Sequence, residues 1–178
     1  MTKLSIDTAG FHHPWRSWRL GGFLMGLALL LTACGFQLRS SQPLPFQSLY
    51  LNVGDSELGA ALKRSVRASG GTRITENPKD AQATFTVAAE AREKNILSLS
   101  SAGRVREFQL RYRYAFRVVD DKGQSYLPLT EISVTRDITF SDAQVLAKEQ
   151  EETLLWRDMQ NDLVQQIMRR LAAVKIDG

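Results

Sequence analysis

Histidine and cysteine are almost absent from this 178-residue chain, which has two histidines and one cysteine. Both histidines, His12 and His13, lie in an N-terminal segment that we expect to be removed. The remaining chain would then have no imidazole for a Ser-His-Asp, Cys-His or histidine-based zinc site. Its acidic residues Glu149 and Glu152 lie close to basic residues of the same predicted helix, which is typical of a solvated face. We therefore expect no enzymatic activity, no metal site and no cofactor.

The N-terminal segment has the features of a signal peptide. Arg16 and Arg19 precede eleven uncharged residues, 21–31, a run too short for a membrane span, which needs about 20 apolar residues. Small residues precede Cys34, as lipoprotein processing requires, and one cysteine cannot form an internal disulfide. We therefore expect residues 1–33 to be removed and Cys34 to carry the acyl chains of a membrane anchor. A buried free thiol beside an ordinary cleavage site is the alternative.

The charge balance gives no argument for a nucleic-acid partner. The chain has 23 basic and 19 acidic residues, a net charge of +4. Three of the basic residues and one acidic residue precede Cys34, so the rest of the chain has a net charge of only +2. An electrostatic function must therefore come from local clusters of charge.

Hydrophobic periodicity predicts one periplasmic α+β domain over residues 48–178, after an extended tether over residues 34–47. Strand patterns lie near residues 47–53, 83–99, 108–118 and 126–140, and helical patterns lie at 56–70 and 141–174. Ser56 is predicted to cap the first helix, and Ser141 with Gln144 forms a predicted capping box for the second. The expected order is β-α-β-β-β-α, with two helices packed on one face of a four-stranded sheet.

The clearest alternation in the chain runs from Phe108 to Val118. Apolar residues at every second position alternate with polar and basic ones, which predicts a strand with one buried and one basic face. Basic residues of this strand, its neighbour and the turn between them are Arg92, Lys94, Arg104, Arg106, Arg111, Arg113 and Arg117. Arginine binds phosphate with two parallel hydrogen bonds, so this face could hold an anionic lipid headgroup or line a polar barrel interior. A solvated face balanced by neighbouring glutamates is the alternative.

Arg136 is a basic residue at an apolar position of its predicted strand. It shares its parity with Val134 and Ile138, which points its side chain toward the core. A charge on that side needs either a bulge that redirects it or a partner that satisfies it.

Four short segments are distinctive when taken together. They are CGFQLR from Cys34, EFQL from Glu107, VLAKE from Val145 and QIMRRL from Gln166. In this order behind a lipidation site, they resemble the LptE family of lipopolysaccharide-assembly lipoproteins over essentially the whole chain after Cys34. Gly35, at the second position after processing, also resembles lipoproteins that are sorted to the outer membrane.

The resemblance implies a lipid-anchored outer-membrane protein, without enzymatic activity, that faces the periplasm. It would lie within the lumen of the LptD β-barrel, assist assembly of that barrel and bind lipopolysaccharide. Family members have a basic residue in the Leu-Ala-Lys segment, matched here by Lys148, and another in the hairpin turn, where this chain has Ser101 with Arg104 and Arg106 nearby.

These considerations assign expected roles to eight basic residues. We expect lipopolysaccharide binding by Arg104, Arg106, Lys148, Arg92 and Arg136, and barrel contacts by Arg111, Arg113 and Arg117. Another outer-membrane lipoprotein adaptor, such as a secretin pilot or an activator of a cell-wall synthase, is the alternative.

Overall fold

The structure, a computed structural model, describes residues 43–176. Five strands and two helices follow one another: β1 (Ser48–Asn52), α1 (Glu57–Ser69), β2 (Arg73–Thr75), β3 (Ala83–Leu99), β4 (Val105–Asp120), β5 (Ser125–Thr139) and α2 (Val145–Ala172). The strands form one sheet in the order β2-β1-β3-β4-β5. Strand β1 is parallel to β2 and β3, while β3, β4 and β5 form an antiparallel meander. Neither described helix is long and apolar enough to cross a membrane.

The predicted α+β class, with both helices on one sheet face, is confirmed, but the predicted count of four strands is wrong. The additional strand is β2, which pairs with β1 through Leu49 and Ile74. Three residues are too few to show a period-two pattern, so this strand leaves no signal in the sequence.

The core lies between the helices and one face of the sheet. On β4, most of the alternating residues predicted to be buried are almost completely enclosed, among them Tyr112, Tyr114 and Phe116, while Phe108 is partly buried. They meet an apolar stripe of α2 that includes Met159 and Leu163, as the spacing predicts. The opposite face of the antiparallel strands has no helix packed on it within the described residues.

The two helices begin in different ways. At α1, the Ser56 hydroxyl accepts a hydrogen bond from the Gly59 amide at 3.0 Å, as predicted for a capping residue. The capping box predicted for α2 is wrong, because residues 142–144 form a 3₁₀ turn and Ser141 makes no side-chain capping bond. The Gln144 amide instead donates to the backbone carbonyl of Ser141 at 3.0 Å. This tighter turn uses the backbone where a capping box would use the side chain.

The folded domain begins before Ser48. Leu44 and Phe46, which lie in the predicted tether, are buried in the core. The Phe46 carbonyl also accepts a hydrogen bond from the Thr72 hydroxyl at 2.8 Å. The end of the predicted tether is therefore part of the domain, while residues 1–42, including Cys34 and the predicted signal peptide, lie outside the described residues.

A bulge in β3 changes which side chains share a face. The pairing of β3 with β4 shifts by one residue between Val87 and Ala89. An extra residue moves every later side chain to the opposite face. Arg92 therefore lies opposite the inward-facing Tyr112, and Lys94 lies opposite Leu110. The expectation that both share the basic face of β4 is wrong.

Candidate functional site

The basic residues singled out from the sequence lie on three surfaces. The open face is the side of the antiparallel strands away from the helices and carries Arg111, Arg113 and Arg117. The helix side carries Arg92 and Arg136. The hairpin end consists of the β3–β4 turn with the adjoining ends of β3, β4, β5 and α2, and it carries Arg104, Arg106 and Lys148.

Side chains of the open face interact with one another across the strands. Arg113 donates to the Glu93 carboxylate through Nε at 3.0 Å and Nη2 at 2.6 Å. This hydrogen bonding and the charge of Glu93 raise the pKa of Arg113. Arg111 donates to the side chain of Gln109 at 3.2 Å. The open face is therefore polar and basic but partly neutralised.

Arg92 joins the two helices to the sheet. Its guanidinium donates to Glu57 of α1 at 3.4 Å and to Gln160 of α2 at 3.1 Å. It also lies 4.7 Å from the ring centroid of Tyr112 and 5.9 Å from that of Trp156. Contacts of this kind hold a cation by charge and by the electron-rich faces of the rings. The guanidinium is thus already engaged within the domain.

Tyr112 connects this arginine to a second carboxylate. Its hydroxyl donates to Glu90 at 2.5 Å and accepts from Arg92 at 3.3 Å. Burial of the ring, and then the hydrogen bond to Glu90, raise the pKa of Tyr112 to about 12. The phenol therefore stays protonated at physiological pH and keeps its donor role.

Arg136 has the partner that its apolar position requires. Its guanidinium forms an ion pair with Asp162 of α2. It lies opposite Leu110 in the sheet, four residues along β4 from Arg106. That separation is about 13 Å at roughly 3.3 Å per residue, and Arg92, opposite Tyr112, is about 20 Å away by the same measure. The structure therefore does not bring Arg92 and Arg136 into the hairpin end.

Charge and apolar surface meet at the hairpin end. The Lys148 ammonium lies 2.9 Å from the Thr139 hydroxyl and 2.8 Å from Glu151. A cavity of about 410 Å³ is lined by Arg106 and Glu107 together with Leu99, Ser98, Thr139 and Phe140. Arg104 lies in the turn, where its amide donates to the Ser100 hydroxyl at 3.1 Å.

The hairpin end also exposes large apolar side chains. Leu99 is 55% exposed and Leu146, on the first turn of α2, is 77% exposed; Ile96, Leu97 and Val145 are exposed as well. Clustered exposed apolar residues mark sites of interaction with proteins or lipids. This surface therefore combines cations with apolar contact area, which suits an amphipathic anion.

Sequence reasoning found the cations of this surface but missed its apolar part. The segment from Ile96 to Leu99 is read most simply as more of a half-buried strand. The sequence feature that could have indicated this apolar surface is the run of Ile96, Leu97 and Leu99 next to a turn, because a strand end there projects beyond the core.

The fold and these surfaces define a small α+β domain that leaves one sheet face open and presents a basic, apolar hairpin end. Comparison with known proteins identifies the family: the sequence model of the LptE family, described as lipopolysaccharide-assembly, matches residues 46–171 of this chain. The chain therefore belongs to the LptE family, which confirms the resemblance, and has a role in lipopolysaccharide assembly.

Individual relatives agree with this assignment. The chain is 26% identical over 161 residues to the LPS-assembly lipoprotein LptE of Pectobacterium atrosepticum, covering 88% of this chain and 86% of the relative. It is 28% identical over 160 residues to that of Photorhabdus laumondii, covering 88% and 87% of the two chains.

Two solved structures have the same fold. The solution structure of an uncharacterized lipoprotein B from Nitrosomonas europaea is 40% identical with a TM-score of 0.69, covering 78% of this chain and 91% of that one. The crystal structure of the rare lipoprotein B from Shewanella oneidensis is 25% identical with a TM-score of 0.62, covering 71% and 94%.

Proposed function

We propose that this chain is an outer-membrane lipoprotein, anchored through acylated Cys34, that partners an LptD-type β-barrel and binds lipopolysaccharide at its hairpin end. The protein acts by binding and has no enzymatic activity of its own. One observation carries the proposal: Arg106 and exposed Leu99 line one cavity with Thr139, whose hydroxyl contacts the Lys148 ammonium, and exposed Leu146 lies on the first turn of α2 at the same end of the sheet. Lipopolysaccharide has phosphates next to acyl chains, and this surface complements both.

The cations of the hairpin end have the chemistry required for phosphate. Arginine offers a planar pair of donors, while lysine offers a compact positive charge. The Arg106 guanidinium has no hydrogen-bond or ion-pair partner among residues 43–176, and the residue is exposed. Lys148 is held by Thr139 and Glu151 at the edge of the apolar cluster. The proposal concerns Arg104, Arg106 and Lys148, because Arg92 and Arg136 lie apart from the hairpin end.

The open face is the proposed contact with the barrel. Barrel interiors are polar, and the basic side chains Arg111, Arg113 and Arg117 lie on the side of the sheet that no described helix covers. A domain placed in the lumen would turn this face, rather than its apolar core, toward the barrel wall.

The lipid-binding part is tested with the triple variant Arg104→Ala, Arg106→Ala, Lys148→Ala. We expect its affinity for lipopolysaccharide to fall at least tenfold, because contacts between a charged donor and phosphate are worth about 1.5 to 3 kcal/mol each when they form. The matched control, Arg73→Ala, Lys79→Ala, Lys122→Ala, removes the same charge from exposed positions elsewhere and should bind normally. Unchanged affinity in the first variant would contradict the headgroup role.

The barrel contact is tested by purification from outer membranes in mild detergent, with the partner identified by mass. The wild-type chain is expected to recover an LptD-type barrel, and the variant Arg111→Glu, Arg113→Glu, Arg117→Glu is expected to lose it while still binding lipopolysaccharide. Recovery of a secretin or a cell-wall synthase instead would favour the other adaptor classes and defeat the barrel proposal.

A further inference from the structure

A separate basic cleft lies between the two helices, away from the hairpin end. It has a volume of about 670 Å³. Helix α1 contributes Glu57, Ala60 and Arg64, strand β3 contributes Arg92, and helix α2 contributes Thr153, Leu154, Trp156, Arg157 and Gln160. The helix cleft thus gathers three arginines and one carboxylate around a space large enough for a small ligand.

Two of the three arginine side chains have no partner in the described part of the chain. Arg92 is bound to Glu57 and Gln160, so its charge is partly balanced. Among residues 43–176, neither the Arg64 nor the Arg157 guanidinium has a hydrogen-bond or ion-pair partner. Both are exposed and reach the cleft from opposite helices. Three neighbouring like charges repel one another, and an anion between them relieves that repulsion.

We propose that the helix cleft binds a phosphate group, either the free ion or a phosphate monoester headgroup, through Arg64 and Arg157, with Arg92 holding the two helix walls together. A phosphate monoester has a charge of about −1.5 to −2 at pH 7, which matches the two unpaired guanidinium groups better than a single carboxylate would. Each guanidinium can offer a pair of parallel donors to the phosphate oxygens. A phosphate between the two helices would therefore be gripped from both sides.

The walls of the cleft fit a group larger than a bare ion. Leu154 is exposed at its rim and Trp156 forms part of its lining. A second hollow of about 320 Å³, lined by Ala61, Ala68, Val164 and other residues, shares Arg64 with the helix cleft. The carbon part of a ligand could extend into this second hollow while its phosphate remains between Arg64 and Arg157. The ligand is either free phosphate or the phosphate headgroup of a lipid.

The test uses the full chain in neutral detergent and follows tryptophan emission, because Trp156 lines the cleft. Inorganic phosphate is titrated against chloride at equal ionic strength, and micelles containing phosphatidic acid are compared with micelles containing phosphatidylcholine. We expect a saturable change with phosphate or with phosphatidic acid, and none with chloride or phosphatidylcholine. Saturation by phosphate alone identifies the free ion as the ligand, and saturation by phosphatidic acid identifies a headgroup.

The variant Arg64→Ala, Arg157→Ala is expected to weaken binding at least tenfold. Its matched control is Arg67→Ala, Arg170→Ala, which removes two exposed arginines from the same helices outside the cleft and should bind within twofold of wild type. Circular dichroism verifies that both variants are folded. Equal affinity in the two variants, no saturable signal, or binding of polyglutamate in preference to phosphate would overturn the proposal. None of these outcomes bears on the lipopolysaccharide site proposed at the hairpin end, because neither variant changes a residue there.

Discussion

Replacement of Phe46 by alanine measures how far the folded domain extends toward Cys34, the proposed site of the membrane anchor. Phe46 lies in a segment whose prolines predict a tether, yet its side chain is 1% exposed. Its ring centroid lies 5.9 Å from that of Tyr126, and its carbonyl accepts the hydrogen bond from Thr72. The segment is therefore bound to the sheet by packing and by hydrogen bonding.

The expected loss is large compared with the stability of such a domain. Removing a buried phenylalanine side chain costs about 3 to 5 kcal/mol, including the cavity that it leaves. Single domains are stable by about 5 to 15 kcal/mol, so the variant should lose a substantial fraction. With a urea dependence near 2 kcal/mol per molar, the unfolding midpoint should fall by about 2 M.

Urea unfolding of the full chain, followed by far-ultraviolet circular dichroism, provides the measurement. The control Leu129→Ala truncates a side chain that is 66% exposed, and its midpoint should hardly move because exposed substitutions change stability by about 0.5 kcal/mol or less. A Phe46→Ala midpoint equal to that of wild type would show that Phe46 does not contribute to the folded core. The domain boundary at residue 48 would then be correct.

Three further predictions follow from individual contacts. Gly59→Ala should destabilise the protein by about 1 to 3 kcal/mol in a thermal melt. The reason is that the added Cβ would lie 2.9 Å from both the carbonyl oxygen and Cγ2 of Val53. A melting temperature equal to that of the wild type would refute this prediction. Because the pKa of Tyr112 is raised from 10.0 to about 12, the stability that its protonated hydroxyl contributes is fully present below pH 10 and is lost as the pH rises toward 12. The free energy of unfolding in urea should therefore fall less over that pH range in Tyr112→Phe than in the wild type. An identical fall in both proteins would refute the role of this hydroxyl. Leu146→Ala should weaken lipopolysaccharide binding about tenfold, since burying a leucine side chain contributes about 1.5 to 3 kcal/mol. The control Leu129→Ala changes a leucine exposed on β5 away from the hairpin end and should bind normally. Equal affinities of the two variants would refute an apolar contact between Leu146 and the lipid.

The elements with strong periodicity were predictable from the chain alone. The alternation from Phe108 to Val118 places the buried aromatic residues of β4 correctly, and the helical stripe containing Met159 is buried as expected. The Ser56 cap also forms where its sequence predicts. In each case many local positions point to one structure, so a single sequence carries enough information.

The errors occur where one residue changes the outcome. The bulge near Ala88 adds one residue to β3 and transfers Arg92 and Lys94 to the helix side. The 3₁₀ turn before α2 replaces the predicted capping box. Neither feature leaves a periodic signal, because both depend on how the neighbouring strands and the helix meet in space.

The sequence by itself determined the α+β class, the two amphipathic helices, the basic strand β4 and the cations of the hairpin end, because these follow from local spacing and residue type. Only the tertiary structure decided which cations share a surface. It joined Arg106 and Lys148 to exposed leucines, and it placed Arg64, Arg92 and Arg157 around one cleft. Residues far apart in sequence become neighbours only when strands pair in a particular register and helices pack on a particular face.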